Sequence, residues 1–180
     1  MAHQAQKDFC LKIKDKFPHF FIRQKVLDVG SLDINGNNQY LFEDCLVLGI
    51  DIGWGKNVDV VSKAHEFIGD DGSYDVIIST ECFEHDMYYE KSLKNIVRLL
   101  KPGGLLLFTC ATTGRPEHGT NASNPVDAPL LNNFGTWSDY YKNLTENDIR
   151  QCLDIDLIFG EYNFEINNEA FDLYFYGIKR

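Results

Sequence analysis

A glycine and an aspartate each follow an apolar run of residues, in an arrangement suited to binding a nucleoside. Gly30 ends the run Lys25–Gly30, and Asp51 ends the next such run, Cys45–Asp51. A glycine lets a ligand come close to the backbone, and an aspartate can accept hydrogen bonds from both hydroxyls of a ribose. The pair indicates a site for an adenosine-containing cofactor. The alternative is a turn glycine and an unrelated surface aspartate.

The loop after Gly30 lacks the glycines with which dinucleotide-binding proteins hold a pyrophosphate. In the pattern G-x-G-x-x-G counted from Gly30, the two further glycine positions hold Leu32 and Asn35. Asp33 in the same loop would repel a phosphate. S-adenosylmethionine has no phosphate, and its sulfonium and amino groups tolerate nearby acids. The loop therefore favours this cofactor over a nicotinamide dinucleotide.

Several side chains later in the sequence could remove a proton from a substrate, namely Glu81, His85, His118, Tyr140 and Tyr141. His118 is the preferred general base, because it lies in the long irregular stretch 111–135, where a substrate is expected to bind. The alternatives are a solvated loop histidine for His118 and a hydrogen bond within its own loop for His85.

Two further groups of polar residues have open interpretations. Arg115 either holds an acidic substrate or faces solvent. Glu84, His85 and His118 could in principle ligate a metal ion, but their spacing matches no recognised ligand pattern. We therefore expect no metal.

Alternating strands and helices must position these residues. Apolar residues at helical spacing predict helices over 4–17 and 89–100. Almost continuously apolar runs predict the strands Lys25–Gly30, Cys45–Asp51, Val58–Val61, Tyr74–Ser79 and Leu105–Cys110. Such strands indicate a parallel sheet covered on both faces. Two more strands, Leu157–Ile166 and Phe171–Ile178, are joined so closely that they must form an antiparallel hairpin.

Five segments in series resemble the class I S-adenosylmethionine-dependent methyltransferases, in particular those with a type 11 methyltransferase domain. They are Val26–Gly30, Gly49–Ile52, Asp71–Ser79, Glu81–His85 and Leu99–Leu105. The resemblance implies one α/β domain over residues 1–180. Its fold would be a three-layer Rossmann-like sandwich, with a mostly parallel seven-stranded sheet and an antiparallel C-terminal hairpin. It also implies S-adenosyl-L-methionine as cofactor and methyl transfer to an oxygen or nitrogen atom.

The cofactor-binding residues that the resemblance implies are Asp28, Gly30, Ser31, Asp51, Ile52, Ala64, His65, Ser79, Thr80 and Glu81. The residues at or just after the ends of the first and fourth strands would surround the methionine part of the cofactor. Asp51 would bind the ribose, and Ile52, Ala64 and His65 would surround the adenine. At Lys63 the family often has an acid that accepts a hydrogen bond from the adenine amino group. A lysine cannot accept that bond.

Composition narrows the partners. The 180 residues carry 27 acids against 17 bases, and the net charge of −10 disfavours a nucleic-acid substrate. The five cysteines form no Cys-x-x-Cys pair, as expected for reduced thiols. No segment resembles a signal peptide or approaches the ~18 apolar residues that span a bilayer. We expect a cytoplasmic protein with a small-molecule methyl acceptor and no membrane partner, and a homodimer is left open.

Two other functions compete with methyl transfer. A catalytically silent protein that binds S-adenosylmethionine, or serves as a scaffold, would account for the departures in the first loop and at Lys63. A nicotinamide-dependent oxidoreductase would also use an adenosine-containing cofactor, but the loop after Gly30 argues against it.

Overall fold

The computed structural model describes residues 4–132 and 134–180, and its centre is one seven-stranded sheet. The strands are β1 (Lys25–Val29), β2 (Leu46–Asp51), β3 (Val60–Val61), β4 (Tyr74–Thr80), β5 (Leu100–Ala111), β6 (Phe159–Asn167) and β7 (Asp172–Lys179). Their order is β3-β2-β1-β4-β5-β7-β6, with β1 to β5 parallel and β7 antiparallel to both of its neighbours. The predicted sheet and its terminal hairpin are confirmed.

Helices cover both faces of the sheet. They are α1 (Gln4–Lys16), α2 (Tyr89–Leu99), α3 (Glu146–Cys152) and α4 (Ile155–Ile158). Phe9 and Ile13 of α1 belong to the core on one face, and Leu93 and Ile96 of α2 to the core on the other. The central strands are buried on both sides, which explains why they are apolar almost throughout. Within the described residues, every helix is too short or too polar to cross a membrane.

The start of β5 differs from the prediction. The sequence places a turn at 101–104 and the strand from Leu105, whereas β5 begins at Leu100. Tyr74 pairs with Leu100, and the register then jumps so that Val76 pairs with Leu105. Gly103 has a φ of +76°, which glycine adopts readily. The predicted turn is therefore present as an irregularity inside the strand.

The connection from β1 to β2 contains only a short 3₁₀ helix, Gln39–Leu41. A doubly wound sheet usually places a full helix in such a connection. Here the residues before Gln39 instead form one wall of a cleft beside the carboxyl end of β1.

Candidate functional site

The cleft lies at the carboxyl ends of β1, β2 and β4, where open parallel sheets bind ligands. Its space, including the open mouth, is about 1010 Å³. Eight of the ten predicted cofactor-binding residues line it, namely Asp28, Gly30, Ser31, Asp51, Ile52, Ala64, Thr80 and Glu81. The structure therefore brings most of the predicted site together, although these residues come from four separate segments.

Gly30 allows two loops to meet at the base of the cleft. Its φ is +75°, and a Cβ at this position would lie 2.5 Å from Sγ of Cys82, in the loop after β4. Its N–H donates to the carbonyl of Ile50, at 2.9 Å. A side chain at Gly30 would therefore push these two loops apart, and the close approach of a ligand to Gly30 stays a prediction.

Asp51 joins the walls formed after β1 and β2. One carboxylate oxygen accepts from the N–H of Leu32, at 3.0 Å, and the other from the N–H of Ile52, at 2.8 Å. Burial raises the pKa of Asp51, and these two N–H groups oppose the rise. Because a carboxylate has about four lone-pair positions, both oxygens can still accept hydrogen bonds from a ligand in the cleft.

Asp28 and Ser31 bring unpartnered polar atoms to the cleft. Asp28 is 1% exposed, and its Oδ1 accepts from the Nδ2 of Asn38, at 3.0 Å, while its Oδ2 has no hydrogen-bond partner. Burial raises the pKa of Asp28 to about 7, and the Asn38 hydrogen bond opposes this. The buried Ser31 Oγ also lacks a partner. Since buried polar atoms are normally hydrogen-bonded, these two are suited to a ligand that supplies donors.

Ser79 and His65 do not line the cleft. The hydroxyl of Ser79 is fully buried and donates to the carbonyl of Val29, at 2.9 Å, which ties β4 to β1. The ring of His65 lies against that of Tyr88, with centroids 4.5 Å apart. The cofactor-binding roles of these two residues stay predictions.

The long segment after β5 supplies another part of the wall of the cleft. Residues 127–131 and Trp137 line the cleft. Leu130 packs against Gly53, because a Cβ on Gly53 would lie 3.0 Å from Cδ2 of Leu130. Trp137 Nε1 donates to the carbonyl of His85 and so fastens this segment to the loop after β4. The sequence marks the stretch 111–135 as functional by its length and does not single out Leu130. It also does not single out Asn38 or Cys82.

His118 lies behind His85 rather than on the wall of the cleft. The two ring centroids are 4.9 Å apart, and His85 lines the cleft whereas His118 does not. Burial lowers the pKa of both histidines, that of His85 to about 3, so both rings are neutral near pH 7. The Nε2 of His118 is buried without a partner. His118 therefore has a free lone pair close to the cleft, and its role as a base stays a prediction.

Arg115 is bound to other parts of the chain and does not simply face solvent. Its guanidinium donates to the carbonyl of Ala170 and lies 3.1 Å from the buried carboxylate of Asp172. It therefore fastens the loop after β5 to the start of β7.

A family model described as a methyltransferase domain matches residues 1–167. Among curated proteins, phosphoethanolamine N-methyltransferase 2 of Caenorhabditis elegans is 28% identical over an alignment that covers 59% of this chain. The match covers only 28% of the length of that relative.

Solved structures share the fold. One is the 1,6-didemethyltoxoflavin-N1-methyltransferase of Burkholderia thailandensis, solved with its substrate and S-adenosylhomocysteine. It has a TM-score of 0.66 at 15% identity, over 97% of this chain and 78% of that one. Another is the Haemonchus contortus phosphoethanolamine N-methyltransferase 2, solved with phosphomonomethylethanolamine and S-adenosylhomocysteine. It has a TM-score of 0.62 at 16% identity, over 96% of this chain and 52% of that one.

Proposed function

Because the chain belongs to the methyltransferase-domain family, we propose that it transfers a methyl group from S-adenosyl-L-methionine to a small-molecule acceptor. The proposed acceptor atom is an oxygen or a nitrogen. The observation that carries the proposal is the cleft at the strand ends, where Asp28, Ser31 and Asp51 meet beside a loop that lacks phosphate-binding glycines. Two structures with the same fold hold S-adenosylhomocysteine, which supports this choice of cofactor.

The residues of the cleft fit the two polar ends of this cofactor. The unpartnered Oδ2 of Asp28 and Oγ of Ser31 suit the ammonium group of the methionine part. The carboxylate of Asp51 suits the ribose hydroxyls. Ile52, Ala64 and Leu131 offer apolar surface for the adenine. Lys63 pairs with Glu66, at 3.0 Å, and does not line the cleft.

The cofactor supplies a methyl group already activated on a sulfonium, so the main tasks of the protein are to bind and orient. Residues 127–131 and Trp137 form part of the wall of the cleft, which helps to keep water from the reacting atoms. We place the methyl acceptor near His85 and His118. His118 is the proposed general base, which takes a proton from it. For that role its Nε2 lone pair must become accessible when an acceptor binds.

Calorimetry followed by a turnover screen tests this function. We expect S-adenosylmethionine and S-adenosylhomocysteine to bind with a stoichiometry of one, and NAD to bind far more weakly. Methyl transfer to any member of a panel of small amines, alcohols and phenols would exclude a catalytically silent protein. No binding of S-adenosylmethionine at saturating concentration would refute the proposal, and tighter binding of NAD would favour the oxidoreductase.

Replacing His118 by alanine should lower turnover, by about 10²- to 10⁴-fold if it removes a proton in the transition state. Affinity for the cofactor should change little, because His118 does not line the cleft. The measurement is turnover at saturating cofactor, together with the dissociation constant from calorimetry. His19→Ala is the control, since His19 is an exposed histidine remote in sequence from the site. Full activity in His118→Ala would dismiss His118 as the base.

A further inference from the structure

Three side chains of types that can ligate a metal ion come together from two loops, next to the part of the cleft wall that His85 forms. Glu84 and His85 follow β4, and His118 follows β5. One ligand atom from each lies within 4.8 Å of the others. Gly119 permits this approach, because a Cβ at this position would lie 2.7 Å from Cε1 of His85. The spacing along the sequence matches no ligand motif, but the fold assembles two imidazoles and a carboxylate.

The same three residues carry buried polar atoms without hydrogen-bond partners. They are both carboxylate oxygens of Glu84, Nδ1 of His85 and Nε2 of His118. Glu84 is fully buried and His85 is 9% exposed. The backbone N–H groups of Glu84 and Ala111 lie near the Glu84 carboxylate and lower its pKa, but neither forms a hydrogen bond with it. Orphaned buried atoms are uncommon in proteins, so four at one place point to a ligand that all of them share.

His118 is oriented as a metal-binding histidine usually is. Its Nδ1 lies 3.1 Å from the carbonyl of Pro116, so the proton belongs on Nδ1 and the Nε2 lone pair is left available. Metal-binding histidines commonly donate their other N–H to a backbone carbonyl in this way, which fixes the tautomer and the ring orientation. The ring of Tyr141 packs against the rings of both His85 and His118, with centroid distances of 5.5 Å and 5.0 Å.

We propose that Glu84, His85 and His118 bind one divalent transition-metal cation. Two imidazoles and one carboxylate form a donor set used for Zn²⁺ and Fe²⁺, and three protein ligands leave at least one coordination position open. With metal–ligand distances of about 2.1 Å, two ligand atoms can be at most about 4.2 Å apart. The ligand atoms, which lie within 4.8 Å of one another, must therefore move slightly closer together when the ion binds.

The location of the site gives the ion a use in the proposed function. Because His85 also lines the cleft, a bound ion would lie beside the wall of the cleft. It could then hold or polarise an acceptor oxygen or nitrogen at its open position. This use rests on the proposed function, whereas binding of the ion does not. A bound ion would also occupy the Nε2 lone pair of His118, so His118 can accept a proton only in the metal-free protein.

Titration of the metal-free protein with Co²⁺ and Zn²⁺ tests the site. We expect one ion per chain, with visible Co²⁺ absorption of a low-coordinate nitrogen and oxygen site that Zn²⁺ displaces. Glu84→Gln and His118→Ala should each weaken binding by more than about 100-fold, since loss of a ligand should exceed the 10- to 100-fold cost of losing an outer-shell partner. His19→Ala should bind normally. No ion bound, or unchanged binding in both variants, would overturn the proposal and leave an ordered water as the shared partner.

A second measurement needs no substitution and therefore does not depend on the variants folding. Among the five histidines, Zn²⁺ should shift the imidazole NMR signals of His85 and His118 and leave that of His19 unchanged. Shifts confined to other histidines would refute the site. Calorimetry of the chelator-treated protein with S-adenosylmethionine then separates the two proposals, because cofactor binding should persist without the ion.

Discussion

Replacing Asp51 by alanine should weaken the binding of S-adenosylmethionine by about 1.5–3 kcal/mol, the usual cost of losing a hydrogen bond to a charged group. This corresponds to a roughly 10- to 150-fold higher dissociation constant. The effect should be large because Asp51 has two functions. It can accept from both ribose hydroxyls, and it already holds the N–H groups of Leu32 and Ile52, which shape two walls of the cleft.

Calorimetry on Asp51→Ala measures this loss, and Asp70→Ala is the matched control, because Asp70 is an exposed acid in the turn before β4. Thermal unfolding of the unliganded variant shows whether the walls still form. Since burial raises the pKa of Asp51, removing its charge should not itself unfold the protein. An unchanged dissociation constant in a folded Asp51→Ala would remove Asp51 from the site.

The sheet could be predicted because its strands carry a strong local signal. Val26, Ile77 and Leu107 are fully buried, and strands buried on both faces must be apolar at nearly every position. Once the sheet is parallel, its carboxyl ends share one edge, so residues that follow different strands meet there. That geometry alone brings Gly30, Asp51 and Thr80 to one cleft.

Contacts made by the loops could not be predicted from spacing. Asn38 reaches Asp28 and Thr80, and His118 reaches His85, only because the backbone turns in ways that no periodic pattern encodes. For the same reason the spacing of Glu84, His85 and His118 gives no indication that their side chains lie together. The partner of Arg115 was missed likewise, since Asp172 lies in the terminal hairpin, far away along the chain.

Replacing Asp28 by asparagine should make the unliganded protein more stable near pH 8 and weaken its affinity for the cofactor. In the folded protein the pKa of Asp28 is about 7, above its ordinary value of 3.8, so the folded state holds this proton more tightly than the unfolded state does. The stability contributed by Asp28 is therefore greatest below pH 4 and is lost as the pH rises to about 7. Asparagine has no such loss.

Urea unfolding at pH 5 and pH 8 measures the first effect. The gain in unfolding free energy from Asp28→Asn should be greater at pH 8, by about 2–4 kcal/mol for a shift of this size. Asparagine keeps an oxygen for Asn38, so that hydrogen bond need not be lost. Asp70→Asn, at an exposed position, should show no such dependence on pH. An equal change in unfolding free energy at both pH values would mean that folding does not raise the pKa of Asp28.

Binding should move in the opposite direction. Our assignment gives the ammonium group of the cofactor to the unpartnered Oδ2 of Asp28, and an asparagine amide brings N–H donors where that cation needs an acceptor. Affinity at pH 8 should fall by about 1.5–3 kcal/mol, as for other hydrogen bonds to charged groups. A variant that is more stable but binds less tightly would mean that the fold tolerates a buried carboxylate because the ligand needs it. A gain in stability with unchanged affinity would break that link and move the ammonium group away from Asp28.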